Sequence, residues 1–336
     1  MGLATTIICL LACWGVLALW YQLPGGVSAK SLLIALWGLF CAVMLVLLWR
    51  HRPVLGIAGF ALAFAGLLFW WQSIRPSNDR IWADDVAQMT SGMVEGNRVV
   101  LRNVRNFDWR TDTDYTARWE TRSYDLEQLS SVDLVTSYWS GPAIAHVLIS
   151  FGFDDGQQVV FSVEIRREKT EAFSEFGGFF KEFELSVIAA DERDVIRVRT
   201  NVRGEDDYLY RLRLPATTMR SLFLAYVGEA DRLVQTPRFY NTITVNCTTL
   251  VYHMMRGIVG SLPLDYRLLL SGYLPGYVYK VGGLDTRYSL EQLRKFGRIT
   301  DRAKAADRSE RFSADIRAGI PALSAAPGAA ALVSQP

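Results

Sequence analysis

The chain has 336 residues, half of them hydrophobic, and a formal net charge of +2. The charge is segregated: residues 1–74 contain no Asp or Glu and only Lys30, Arg50 and Arg52 as basic side chains, while the other 33 Lys+Arg and all 34 Asp+Glu lie from Arg75 onward. That remainder carries −1, which excludes the one-sided basic excess of a nucleic-acid-binding domain, and it is long enough for one domain with a sizeable core.

Three uncharged runs meet the length of about 20 residues that a membrane helix needs: Leu3–Tyr21, Ser31–Trp49 and Val54–Ile74. Trp20, Trp49, Trp70 and Trp71 fall at or near the span ends, where indole rings settle at headgroup level. A cleaved signal peptide is disfavoured for the first run, which is long, lacks a basic leader and is followed by two more spans. Arg50-His51-Arg52 occupies the tight turn between spans two and three, and short basic loops stay cytoplasmic. The N-terminus is then inside. The loop Gln22–Lys30 and everything after Arg75 are outside, with Lys30 a single contrary charge. The expected place is a bacterial inner (cytoplasmic) membrane, multi-pass, with the main domain in the periplasm. The expected division is 1–74 as three transmembrane helices, 75–95 as a polar link, 96–299 as the outer domain and 300–336 as a disordered tail.

Cys9, Cys13 and Cys41 lie inside the spans and read as small apolar fillers. Cys247 is alone in the outer domain, so no disulfide can form within it, and a lone thiol in an oxidising compartment calls for an explanation.

In the outer domain, Arg98–Trp109 alternates as a strand, Arg110–Tyr124 reads as a loop or irregular edge, and Val132–Trp139 is β-branched and aromatic. Ala145–Phe153 and Gln157–Arg166 form a hairpin around Asp154-Asp155-Gly156. If all three residues form the loop, His146 lies opposite Glu164 on one face. A two-residue Asp155-Gly156 turn puts them on opposite faces, and the sequence leaves the choice open. Glu184–Ala190 and Val195–Arg199 read as a strand and the end of a connection. Thr217–Leu233 has helical spacing, with Met219, Leu222, Phe223, Tyr226 and Val227 on one stripe. Thr248–Val259 reads as another helix, stopped by Gly260.

The segment Phe239–Arg256 carries the strongest chemical signal. Asn246 is a good N-cap, so Cys247 falls in the first turn of a helix, where free N–H groups and the macrodipole favour a thiolate. A free thiol titrates near about 8.5, and a helix start plus an imidazolium lowers it further. A catalytic thiolate also needs a base and an orienting group. His51 is in the cytoplasmic turn, and His253, six residues along the helix, faces away. His146 remains as base, expected within about 3–4 Å of the sulfur, with Glu164 as orienter. The backbone N–H of Cys247, helped by Asn246, would hold an oxyanion. A lone Cys and a lone His a hundred residues apart are no metal signature, so neither metal nor cofactor is expected. Taken alone, such a pair is more often structural than catalytic.

Five motifs carry a resemblance. They are Ser77-Asn78-Asp79-Arg80-Ile81-Trp82, Val104-Arg105-Asn106-Phe107, Tyr138-Trp139 leading to Ala145-His146, Phe161-Ser162-Val163-Glu164-Ile165-Arg166, and Phe239-Tyr240-Asn241 leading to Asn246-Cys247-Thr248-Thr249. Together, over residues 77–275, they resemble the Lnb N-terminal periplasmic domain family. The resemblance implies lipoprotein N-acyltransferase chemistry by a Cys–His pair, with Cys247 as nucleophile, His146 as base and Glu164 as orienter. It also implies an α+β fold after the three-helix transmembrane segment: a permuted papain-like domain, as in lecithin retinol acyltransferase, with an antiparallel sheet and a Cys-bearing helix. The function expected is a membrane-anchored thiol-dependent acyltransferase or acyl hydrolase, with membrane lipids and a lipoprotein or lipid acyl substrate as partners. The rivals are a cysteine peptidase or amidase, favoured by a polar open cleft, and a non-catalytic binding module, favoured by a buried Cys247 with no histidine in reach.

Overall fold

The computed structural model describes residues 1–50 and 52–323; His51 and residues 324–336 lie outside the description, and with them the cytoplasmic-turn reading of His51 and the last part of the expected tail. The apolar runs form α1 (Gly2–Gln22), α2 (Val27–Trp49) and α3 (Pro53–Ser73), each long and apolar enough to cross a membrane. Gly56 lets α3 approach α2 closely, since a Cβ there would stand 2.7 Å from the Met44 carbonyl. Most of the remaining apolar surface, Leu32, Leu62 and Phe69 included, is exposed, as suits a lipid surround. α2 starts earlier than expected and takes in Lys30, whose Nζ reaches back to the Trp20 carbonyl at 3.0 Å.

The domain is α+β. Its strands are β1 (Ser91–Glu95), β2 (Arg98–Arg105), β3 (Asp108–Trp109), β4 (Tyr115–Thr116), β5 (Trp119–Asp125), β6 (Leu129–Tyr138), β7 (His146–Phe153), β8 (Gln158–Arg166), β9 (Glu184–Ala190) and β10 (Asp206–Arg211). Eight of them form one sheet in the order β1-β2-β9-β8-β7-β6-β10, with β5 also on β2; β3 and β4 pair separately. The sheet is antiparallel as expected, except where β2 meets β9 in parallel at Arg105↔Ala190.

Helices cover both faces. The helices are α4 (Glu192–Arg197), α5 (Ala216–Gln235), α6 (Thr249–Val259), α7 (Leu274–Lys280), α8 (Leu290–Gly297), α9 (Thr300–Ala305) and α10 (Phe312–Ile316). Val147, Ile149, Phe151 and Phe161 face the core shared with α5 and α6. Leu148 and Val160 face the core shared with α4, α9 and α10. The stripe read from the sequence is the buried face of α5, and Phe223 sits fully buried among Tyr124, Phe151, Phe153 and Phe161.

Three expectations are corrected and one left open is decided. Residues 75–95 are not a link: Trp82 bridges Glu168, its indole lies under the Arg166 guanidinium, and Ser91–Glu95 is an edge strand. Of the two readings of Arg110–Tyr124, the irregular edge is the one found: it holds β4 and most of β5, which among the described residues pairs only with β2 and with a shift in register. Val195–Arg199 is helix, running from α4 into a wider π-type turn at Val198–Val202; its β-branched residues serve burial, since Val195, Ile196 and Val198 are inaccessible. The described part of 300–336 is not disordered. Ala303, Ala306, Phe312 and Ile316 are buried, and Arg317 binds the fully buried Glu192 at 2.6 Å and Asp133 at 2.9 Å. A charged tail is ordered here because two buried carboxylates need its guanidinium.

Candidate active site

The hairpin takes the three-residue loop: Leu148 pairs with Ser162 and Ile149 with Phe161, the register that sets His146 against Glu164. Gly156 at φ 87° supplies the left-handed residue that this loop requires. β7–β8 pairing ends at Leu148↔Ser162, whereas β6–β7 pairing continues to Ser137↔His146 and β8–β9 pairing to Arg166↔Glu184. The seam between β7 and β8 therefore opens at this end of the sheet. In the opening, His146 Nε2 meets Ser162 Oγ at 2.7 Å and Glu164 Oε1 at 3.2 Å. Ser162 Oγ donates to the same carboxylate oxygen at 2.6 Å, and Arg199 Nη2 donates to it at 3.2 Å. With Nε2 so engaged, Nδ1 is the ring nitrogen left for other work.

Cys247 arrives from the other side. The Leu250 N–H bonds to the Asn246 carbonyl at 3.1 Å, so the helical turn leading into α6 begins at Asn246. Asn246 Oδ1 accepts from Thr248 N at 2.8 Å and Thr249 N at 2.9 Å, and the Thr249 hydroxyl accepts from Asn246 N at 2.9 Å. This is a reciprocal cap, with Cys247 as the first residue inside it. Asn246 Nδ2 donates to the Thr242 carbonyl at 2.7 Å, which holds the cap on the preceding turn. The Cys247 N–H has no hydrogen-bond partner among the described residues. The sulfur lies 3.9 Å from Thr248 Oγ1 and also interacts with the His146 imidazole.

The two groups act on each other. Burial is the largest influence on the Cys247 thiol and raises it, but hydrogen bonding and charge from His146, the Val147 N–H and the Thr248 hydroxyl together bring it below its ordinary value. Burial is the largest influence on His146 and lowers it, as Arg199 does, but the charge and hydrogen bond of Glu164 and the hydrogen bond of Cys247 together outweigh both, and the imidazole is raised to about 9. Burial likewise raises Glu164, and the His146 charge, followed by Arg199, holds it well below the carboxylate range. The neighbours thus shift the thiol towards the thiolate, beside an imidazolium that is backed by a carboxylate.

Cys247, His146, Glu164 and Asn246 line one cavity of about 270 Å³. Trp139, Ile144, Val163, Ile165, Phe173, Phe176, Phe179 and Leu269 make most of its remaining wall apolar. His253 is exposed on α6, packed edge-on to Tyr252, and outside this wall. Ser162 and Arg199 were missed in the sequence. Ser162 was within reach, being two residues from Glu164 on one strand and so on its face; Arg199 sits on a π-type turn that no local pattern announces. Among the described residues no cluster of three metal-ligating side chains occurs.

Residues 115–272 match the family model described as the Lnb N-terminal periplasmic domain. Over that stretch the chain is similar to that family. The matched stretch contains Cys247, His146, Glu164, Ser162 and Arg199, while the motifs at 77–82 and 104–107 precede it. With its three apolar helices, the chain is a membrane-anchored protein with a periplasmic domain. No curated protein and no solved structure matches it.

Proposed function

We propose that the Lnb-like domain is a thiol-dependent acyltransferase or acyl hydrolase, with Cys247 as nucleophile, in a permuted papain-like arrangement where histidine precedes cysteine along the chain. The observation that carries this reading is the meeting, in one mostly apolar cavity, of a capped helix-start thiol with a carboxylate-backed imidazole. The thiolate attacks the carbonyl of an acyl ester or amide, and the unpartnered Cys247 N–H faces the resulting oxyanion. Asn246 acts here by fixing that N–H, because its side chain is committed to the cap. The tetrahedral adduct collapses to a thioester, and His146 gives its proton to the departing alcohol or amine. An amine, or water, then attacks the thioester; His146 takes its proton, and the thiolate is released. Glu164 and Ser162 keep Nε2 protonated and the ring oriented.

The apolar wall favours acyl chains over the peptide or cell-wall substrates of an amidase. Anchorage in the bacterial inner membrane, multi-pass with the N-terminus inside, would keep the site beside its lipid or lipoprotein substrate. The test is to trap an acyl-enzyme with a phospholipid or acyl-thioester probe on the full chain. Wild type is expected to gain one acyl group on Cys247, and Cys247→Ser none. Acylation persisting in Cys247→Ser would overturn the assignment.

A further inference from the structure

The β8–β9 connection, residues 167–183, makes part of the wall of the cavity and also touches the membrane helices. Tyr21, at the C-terminal end of α1, stacks on Phe180 with ring centres 5.5 Å apart, and its hydroxyl is 3.4 Å from Ser174 Oγ. Gln22 Nε2 donates to the Phe180 carbonyl at 2.8 Å. Lys181 Nζ donates to the Trp71 carbonyl at 2.7 Å, near the C-terminal end of α3, and lies 4.8 Å from the Trp71 ring. α1 and α3 end on the same side of the three-helix unit, each with an aromatic residue and a polar one, as membrane–water boundaries do. The connection is therefore held at the level of the bilayer surface at both ends of Ser174–Lys181.

Within and beside that short span three phenylalanines are left out of the core: Phe173 is 61 % exposed, Phe176 67 % and Phe179 37 %. A water-facing loop gains nothing from three exposed aromatic rings within seven residues, and such clusters mark an interaction surface. We propose that this connection inserts Phe173 and Phe176 into the adjoining lipid leaflet, so that the cavity opens towards acyl chains rather than towards bulk water. The occupant is the phospholipid leaflet itself. Two observations favour it over a protein partner: both ends of the connection are tied to the interfacial ends of the spans, and the same phenylalanines that face outward line the cavity holding Cys247. This deepens the acyl-transfer reading by giving the route of the lipid, but the insertion stands on contacts that do not involve the thiol.

The experiment replaces Phe173 or Phe176, one at a time, with the photoreactive p-benzoylphenylalanine in the full chain, reconstituted in nanodiscs of phosphatidylethanolamine and phosphatidylglycerol. The control position is Asp155, in the exposed turn at the opposite end of β7 and β8. After illumination, mass spectrometry is expected to find phospholipid adducts at 173 and 176 at least ten times more abundant than at 155. Adducts equal to those at 155, or adducts to protein alone, would overturn the proposal. Both substituted positions are exposed, so the fold is not at stake. Acyl-enzyme trapping at Cys247 is read separately, so loss of insertion and loss of acyl chemistry are distinguishable.

Discussion

The sharpest consequence of the site is the pH profile of Cys247 alkylation, with His146→Ala as the perturbation. In the wild type the thiol lies below its ordinary value because His146 is charged, and His146 stays charged up to about 9. Removing the ring deletes the principal lowering influences and leaves burial, which raises the thiol. The variant thiol then titrates at or above about 8.5, where at pH 6 about 0.3 % is ionised. Iodoacetamide rates are to be measured from pH 5 to 10, with each protein compared to its own alkaline plateau. That comparison cancels the change in intrinsic nucleophilicity that accompanies any change in thiol pKa. Wild type should reach its plateau at lower pH than His146→Ala, with a second inflection near 9 as the imidazolium is lost. His146→Ala should show one inflection at or above about 8.5 and, at pH 6, a rate about 300-fold below its plateau. Superimposable normalised profiles would refute the coupling and leave Cys247 as a structural helix-start residue.

Two further outcomes follow from other parts of the molecule. Asp194 is fully buried and accepts from Arg105 Nε at 2.8 Å, Phe107 N at 2.9 Å and Trp109 Nε1 at 2.8 Å. Asp194→Ala should cost about 3–5 kcal/mol by leaving Arg105 unpaired, seen as a melting temperature lower by about 10 °C; a change within about 2 °C would show that the pair contributes little. A reporter active only outside the cytoplasm should be active when fused after Ile74 and silent when fused after Arg50, and the opposite pattern would invert the orientation read from Arg50 and Arg52.

The parts legible in the sequence are those whose signals are local and repeated. The spans announce themselves by length, α5 by its five-residue stripe, and the hairpin by Asp-Gly between β-rich runs. His146 and Cys247 came into view because histidines and cysteines are few and Asn246 marks a helix start. The opening of the β7–β8 seam, which sets the two elements around one cavity, depends on long-range packing. What stayed hidden is held by long-range partners. β1 looks like a linker because Gly92 replaces the expected apolar residue; a Cβ there would stand 2.3 Å from Val227 Cγ1, so α5 dictates the glycine. α9 and α10 read as a polar tail because their buried positions include small Ala303 and Ala306, and their anchor is Arg317, a residue that normally signals solvent.

The groups around the site alternate in the sign of the charge they carry when ionised: the Cys247 thiol, the His146 imidazole, the Glu164 carboxyl and the Arg199 guanidinium. Each is buried or largely so, and Cys247, His146 and Glu164 are each shifted towards the charged form by their neighbours against the cost of desolvation. Alternation makes the effect of removing a member depend on its sign, which separates an electrostatic role from a merely structural one. Glu164 raises His146, so Glu164→Gln should lower the imidazole, with burial and Arg199 then unopposed by the carboxylate; the upper inflection in the alkylation profile moves from about 9 towards neutrality. Arg199 lowers His146 by charge repulsion. Glu164 keeps its bonds from His146 and Ser162 when Arg199 is gone, so the carboxylate stays ionised. Arg199→Gln should therefore move the same inflection the other way, above 9. Both variants lose contacts and both should be less stable, Arg199→Gln also through its bond to the Val195 carbonyl at 2.8 Å. Stability alone cannot distinguish them, whereas the direction of the inflection can. Shifts of the same sign in the two variants would mean that Arg199 acts by holding the π-type turn in place and that its charge is not felt at the imidazole.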